Sequence, residues 1–300
     1  MRVISVGEVL WDVFGQEEHL GGAPFNFAAH LTRLGHEVLF VSGVGADERG
    51  DRILSRMAEM GLSTEYVVRE PRYPTGTVTV VLSAHGQPTF TIHRPAAYDF
   101  PRLDASQLEK LLSQPVHWIY FGTLMQRSPE ARRLTAQLVS AQSNVEKFYD
   151  VNLRPGSYDS GLVRDLLARA TVVKLNDAEV PQVAAMLGKP QSSLQDFCQS
   201  YARTFAWKAV CVTTGAQGCV ALIGDEFLEA RGYSVDVADT VGAGDAFAAA
   251  FVHGLSQGWK AQEVADFANR VGALVASRTG AIPAWTLEEV RALNQVRETA

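Results

Sequence analysis

A glycine-rich turn late in the chain holds the residues best suited to chemistry, Asp239-Thr240-Val241-Gly242-Ala243-Gly244-Asp245-Ala246-Phe247. It runs into an apolar helical stretch, Ala246 to Leu255, which Gly258 closes. Glycines allow a ligand to approach the backbone, and the unpaired amides of a helix start point toward any anion placed there. Such a turn suits a phosphate whose charge must be held while it moves. Asp245, in the first helical turn, is placed to take a proton from a hydroxyl. Taken alone, the segment also fits a helix-start acid favoured by the dipole, with the glycines serving the turn. Phe247 occupies the third glycine position of a dinucleotide fingerprint, and no Gly-x-x-x-x-Gly-Lys-Ser/Thr loop occurs.

A second glycine turn, Gly21-Gly22-Ala23-Pro24-Phe25-Asn26, opens a helix that ends at Gly35. Pro24 suits a first helical position, and Asn26 can direct its amide back toward the helix mouth. Upstream, Gly7-Glu8-Val9-Leu10-Trp11-Asp12 follows the first strand, so Asp12 belongs to the same edge. A carboxylate and an amide together can read sugar hydroxyls. A capped helix beside a solvated acid would show the same residues.

The elements that must position these turns alternate along the chain. Strands are expected at Arg2–Val6, Val38–Ser42, Val116–Phe121, Glu146–Asp150, Thr171–Leu175 and Val210–Thr213, with helical spacing between them. This predicts an α/β fold whose largely parallel sheet is covered by helices on both faces, with ligands bound beyond the carboxyl ends of the strands. Gly76–Val80 and Thr89–Ile92 alternate polar and apolar residues around a His85-Gly86-Gln87 turn, as a hairpin with one wet face does. With the run Val9–Phe14 they predict a small inserted β-sheet lid, residues 11–21 and 67–97, over a body of residues 1–10, 22–66 and 98–300. A lid over the strand ends would exclude water from a reaction.

Composition narrows the class. The chain has 300 residues, 47% hydrophobic and 20% charged, which is globular usage. A net charge of −6 without a long basic run argues against nucleic acid or anionic lipid as partner. The longest apolar run, Ala246 to Val252, is too short to span a bilayer, and the first residues lack a signal-peptide layout. Three cysteines in apolar surroundings, Cys198, Cys211 and Cys219, suit reduced thiols of a cytoplasmic protein.

Gly21–Asn26 followed by Val41-Ser42-Gly43-Val44-Gly45-Ala46-Asp47-Glu48-Arg49-Gly50, and then the late Asp239–Phe247 segment, resemble the two signatures of the ribokinase-like (PfkB) carbohydrate kinases in order and wide separation. The resemblance implies a ribokinase-like fold and transfer of the γ-phosphate of ATP to a sugar hydroxyl. It implies that Asp245 is the base and that the Gly242, Ala243 and Gly244 amides form the anion hole. Sugar contacts fall on Asp12, Gly22 and Asn26, and further ones are expected at Arg94 and Asp99. Asn176-Asp177-Ala178-Glu179 matches the family's Asn-x-x-Glu motif, in which Glu179 organises Mg2+ through water and Asn176 serves the nucleotide. Thr214, Gly215 and Gly218 match the ATP loop. Asp239, Val241 and Gly280 match the region where many members hold K+, although Ala284 stands where ribokinases have serine. A homodimer through the lid is implied as well.

The Gly-Glu opening, Gly-Gly-Ala-Pro, Phe121-Gly122-Thr123-Leu124 and Asp150-Val151-Asn152-Leu153-Arg154-Pro155 resemble bacterial fructokinases more than ribokinases. Fructose is therefore the expected substrate, with 2-keto-3-deoxygluconate next and ribose or a nucleoside after it. A non-catalytic sugar sensor on the same scaffold is the alternative from another class.

Overall fold

The computed structural model describes residues 1–82, 88–141, 144–189 and 193–293. The expected His85-Gly86-Gln87 turn lies outside the described residues. The strands are β1 (Arg2–Val6), β2 (Leu10–Phe14), β3 (Glu17–Gly21), β4 (Glu37–Gly45), β5 (Val67–Glu70), β6 (Gly76–Leu82) and β7 (Pro88–His93). They continue with β8 (Trp118–Gly122), β9 (Glu146–Asp150), β10 (Val172–Asn176), β11 (Ala209–Thr213), β12 (Gly218–Ile223) and β13 (Glu226–Arg231).

A nine-stranded sheet has the order β13-β12-β11-β10-β9-β8-β1-β4-β5. It is parallel from β5 through to β11, and β12 and β13 add an antiparallel edge. Its strands are buried on both faces, so successive residues enter different cores. In β8, Trp118 and Tyr120 pack into one core, while Ile119 and Phe121 enter the other. That period of two explains why the strands read as unbroken apolar runs. The helices Ala23–Arg33, Ala243–Ser256 and Ala261–Ala276 cover one face. Leu111, Leu138, Leu166, Val183 and Phe197, from helices between β7 and β11, line the other core.

β1 lies between β4, which follows it, and β8, which the chain reaches only after the small sheet. The strand order therefore reverses beside β1, and a doubly wound sheet opens its ligand crevice at such a point. Both glycine turns converge there.

The second sheet has the order β3-β2-β6-β7. Its extent corrects the expected lid boundaries. β5 pairs in parallel with β4 through Ser42↔Val67 to Gly45↔Glu70, so residues 67–70 extend the large sheet, while Leu10 already belongs to the small one. The edge hairpin β12–β13 was also missing from the expected strands. Its two-residue turn is Gly224-Asp225, with Gly224 at φ 60°, which is itself a tight-hairpin signal in the sequence.

Candidate active site

The late turn is tight for a structural reason. Gly242, at φ 79°, caps the helix Ala243–Ser256, and a Cβ there would fall 2.4 Å from the Ala281 carbonyl oxygen. The Ala243 amide donates to the Thr240 carbonyl at 3.3 Å, and that of Asp245 to the Gly242 carbonyl at 3.1 Å. Among the described residues, the amides of Gly242 and Gly244 have no such acceptor. The expected three-amide cradle thus narrows to two, because the turn directs Ala243 inward. A Cβ on Gly244 would have the Lys174 ammonium 3.5 Å away and is otherwise in open space.

The two glycine turns meet through a single bond. Asn26 Nδ2 donates to Asp245 Oδ2 at 2.8 Å, joining residues 219 apart in the chain. Burial, and then the Asp150 carboxylate, raise the Asp245 carboxyl to about 6, while Asn26, Lys174 and Arg154 pull the other way. A carboxyl poised just below neutrality suits general-base work. Asp12 stands across the cleft on β2. Burial raises it to about 6 against the opposing charges of Arg154 and His19. The paired glycines make this approach available: a Cβ on Gly21 would lie 2.7 Å from Asp12 Oδ2, and one on Gly22, at φ 113°, 2.5 Å from the Glu8 carbonyl.

On the β9–β10 side, Asp150 is fully buried and accepts Lys174 Nζ on both oxygens at 3.1 Å, with the Tyr120 hydroxyl at 3.2 Å. Burial opposes the Lys174 charge, but Asp150, Asp245 and Glu179 outweigh it and hold the ammonium above its ordinary range. Glu179 accepts the Leu153 amide at 2.6 Å and the Asn176 amide at 2.9 Å, and Asn176 Oδ1 accepts the Glu179 amide at 3.0 Å. This reciprocal pair caps the helix Glu179–Met186. Among the described residues no three His, Cys, Asp or Glu side chains gather as a metal cage. One carboxylate fits Mg2+, which keeps its waters and leans on substrate phosphates.

The remaining expected residues separate. Thr214 and Gly215 follow β11 at the same sheet edge, and Gly215, at φ 59°, borders open space. Gly218 does not, because its Cβ would meet the Ala230 carbonyl at 2.1 Å, so packing against β13 dictates that glycine. Asp239 accepts the amides of Val241 at 3.0 Å and Gly280 at 3.1 Å, clasping the two loops expected around a monovalent cation. The Ala284 carbonyl is taken by Arg278. Asp99, expected among the sugar contacts, has a structural task. Arg94 Nη2 occupies one of its oxygens and the Ala96 amide the other, while Arg94 Nη1 donates to the Leu124 carbonyl at 2.7 Å.

Four residues of the site were absent from the expected set: Glu8, Asp150, Arg154 and Lys174. Lys174, a charge inside the apolar run Val-Val-Lys-Leu, carried the clearest signal, since a buried ammonium must have a partner. Asp150 ends a strand at the edge where ligands bind. Arg154 acts on Glu8, Asp12 and Asp245 alike, which only the fold brings together.

Residues 4–287 match the model of the pfkB family of carbohydrate kinases, and the chain belongs to that family. It is 30% identical over 278 residues to a fructokinase of Escherichia coli, covering 88% of each chain. A crystal structure of fructokinase with bound ATP from Xylella fastidiosa superposes with a TM-score of 0.86 at 24% identity, over 97% of both chains. A fructokinase of Vibrio cholerae O395, in a fructose, ADP and calcium ion bound form, gives 0.81 at 24% identity, over 97% of this chain and 98% of the other. Among the described residues no helix is long and apolar enough to cross a membrane.

Proposed function

We propose that this carbohydrate kinase transfers the γ-phosphoryl group of ATP to a hydroxyl of a ketohexose, and that the ketohexose is fructose. The observation that carries the reading is the Asn26–Asp245 bond at 2.8 Å, which puts a carboxylate beside the sugar turn and one residue from an unpaired backbone amide. The 30% identical fructokinase and the ATP- and fructose-bound neighbours support the choice of substrates.

In this reading Asp12, Gly22 and Asn26 bind the sugar and orient one hydroxyl toward Asp245. The Asp245 carboxylate takes the hydroxyl proton as the oxygen bonds to the γ-phosphorus and ADP leaves with the electrons of the broken bond. The Gly242 and Gly244 amides and the Lys174 ammonium hold the charge of the transferring group, the kind of preorganised contact on which phosphoryl transfer depends. Asn176, Thr214 and Gly215 line the nucleotide end. Glu179 would hold Mg2+ through water, and the ion neutralises phosphate charge. The clasped loops at Asp239, Val241 and Gly280 would hold K+ through their carbonyls. The small sheet is a lid, and Phe14 and Phe90, exposed on one of its faces, would seat the second copy of a homodimer. Three free, buried cysteines suit the cytoplasm.

The test is sugar-dependent ADP release with ATP and Mg2+ across fructose, 2-keto-3-deoxygluconate, ribose, adenosine, glucose and tagatose. Fructose should give the highest kcat/KM. Preference for another sugar would replace the substrate and keep the mechanism, whereas sugar binding without turnover would make the protein a sensor.

A further inference from the structure

Among the described residues, several buried polar atoms near the crevice have no partner. Glu8, just past β1, is 5% exposed and its Oε2 is unpaired. The Tyr98 hydroxyl, 0% exposed, and Asn26 Oδ1, in a side chain 3% exposed, are unpaired as well. They belong to one place. Gly22 passes under the Glu8 carbonyl, Asn26 grips Asp245, and the Tyr98 ring packs where a Cβ on Gly76 would fall, beside Leu10. The Glu8 charge is felt at Tyr98, and that of Asp245 at Glu8. A buried polar group without a partner costs about 1–3 kcal/mol, so a fold that keeps several together keeps them for something that pairs with them.

The charges around them select that partner. Glu8, Asp12 and Asp245 bring three carboxyls to this end of the cleft. The cations that act on Glu8 are Arg154 and Arg94, and Arg94 is already held by Asp99. Burial holds the Glu8 carboxyl at about 7, so near neutrality it both donates and accepts. Among the described residues Arg154 is then the one remaining cation that acts on Glu8, set against Asp12, Asp245 and the part-ionised Glu8 itself. An additional carboxylate or phosphate on the substrate would therefore enter against net negative charge, whereas a hydroxyl matches every unpaired atom.

Resting on the kinase reading, we propose that Glu8 and Tyr98 form a hydroxyl-reading subsite that makes this enzyme selective for neutral sugars over acidic or phosphorylated ones. Glu8 is thus a specificity residue distinct from the base.

Calorimetric titration of D-fructose and of 2-keto-3-deoxygluconate into the wild type, Glu8→Leu and Tyr98→Phe reads the subsite without turnover. The wild type should bind fructose more tightly than the acid. Each variant should lose roughly tenfold or more in fructose affinity, the effect of one hydrogen bond to substrate, with ATP affinity unchanged. Tyr98→Phe removes only an unpaired oxygen and keeps the test open should Glu8→Leu fail to fold. Equal or tighter binding of the acid by the wild type, unaltered fructose affinity in both variants, or no fructose binding at all would overturn the proposal. Turnover is assayed separately: wild-type protein that binds fructose but releases no ADP refutes the kinase reading and leaves the subsite standing.

Discussion

On the β9–β10 side of the cleft, every oxygen of the two buried carboxylates has a donor. Asp150 has Lys174 and Tyr120, and Glu179 has the amides of Leu153 and Asn176. On the β1–β2 side, Glu8 Oε2, Asn26 Oδ1 and the Tyr98 hydroxyl have none among the described residues, and the carboxyls of Glu8, Asp12 and Asp245 are all raised by burial, as that of Glu179 is across the cleft. The first side is a finished electrostatic frame, into which polyphosphate and its counterion add charge of known sign. The second is left incomplete by the fold, and substrate hydroxyls complete it. Mutations on the frame should therefore damage folding as well as turnover, while those on the incomplete side should damage function and leave folding intact.

The largest effect is expected at the junction of the two. Asp245→Asn keeps the shape and a partner for Asn26 but removes the base, and kcat should fall by roughly a thousandfold or more while calorimetric ATP affinity stays the same. Turnover within tenfold of wild type would remove Asp245 from the mechanism. Lys174→Met tests the frame. It strands the Asp150 charge in the interior and should cost about 3–5 kcal/mol in urea unfolding, whereas Lys174→Met with Asp150→Asn should recover much of the loss. If the single variant were as stable as the double, the frame would owe little to this pair.

Asp12→Asn probes the open side and should raise the fructose KM about tenfold with little change in kcat or melting temperature, because a substrate contact is lost and no fold contact is. The same side predicts a dependence on pH. Carboxyls that titrate higher in the fold than in the unfolded chain stabilise the fold fully below their unfolded values, near 4, and lose that contribution as pH rises through about 6 to 7. In urea unfolding of the ligand-free protein, Glu8→Gln should therefore gain on the wild type as pH rises from about 4 to 7, by an amount on the order of 2–3 kcal/mol, while His30 and His36, held low by burial, act in the opposite direction in both proteins. A variant with the wild-type slope would show that Glu8 does not titrate in this range. Activity should run the opposite way, with kcat rising through about pH 6 as Asp245 loses its proton.

This contrast also explains what the sequence disclosed. The glycine turns were legible because a positive φ at Gly22 and Gly242, and the contacts a Cβ would make there, allow no other residue. The sheet was legible because strands buried on both faces spell apolar runs. Asp150 was not, since a carboxylate at a strand end shows its partner only after β9 and β10 are paired, and Lys174, in mid-strand, signalled that it must have a partner but not which one. Arg94 and Asp99 stood in the stretch where sugar contacts were expected, yet their types suit an internal ion pair equally, and only packing distinguishes the two. Glu8 gave no signal of its own, because an unpaired atom is a property of the finished fold.

The smallest predicted effect concerns how the small sheet is held against the large one. Glu18 on β3 accepts Arg49 and Arg52 of the helix Glu48–Glu59, both at 2.6 Å. Arg52 also stacks 4.3 Å above Trp11, whose Nε1 donates to the Arg49 carbonyl at 3.2 Å. Both arginines are nearly half exposed, so the ion pairs themselves should contribute no more than about 1 kcal/mol, screened by salt. Glu18→Ala should therefore barely move the melting temperature. Its consequence should appear in the balance of reactions, because a looser lid admits water to the γ-phosphate. ATP hydrolysis without sugar should rise relative to sugar phosphorylation in Glu18→Ala, and moderate salt should produce the same shift in the wild type and none in the variant. An unchanged ratio in both arms would mean that these ion pairs do not govern closure, leaving the Trp11 stack to hold the lid.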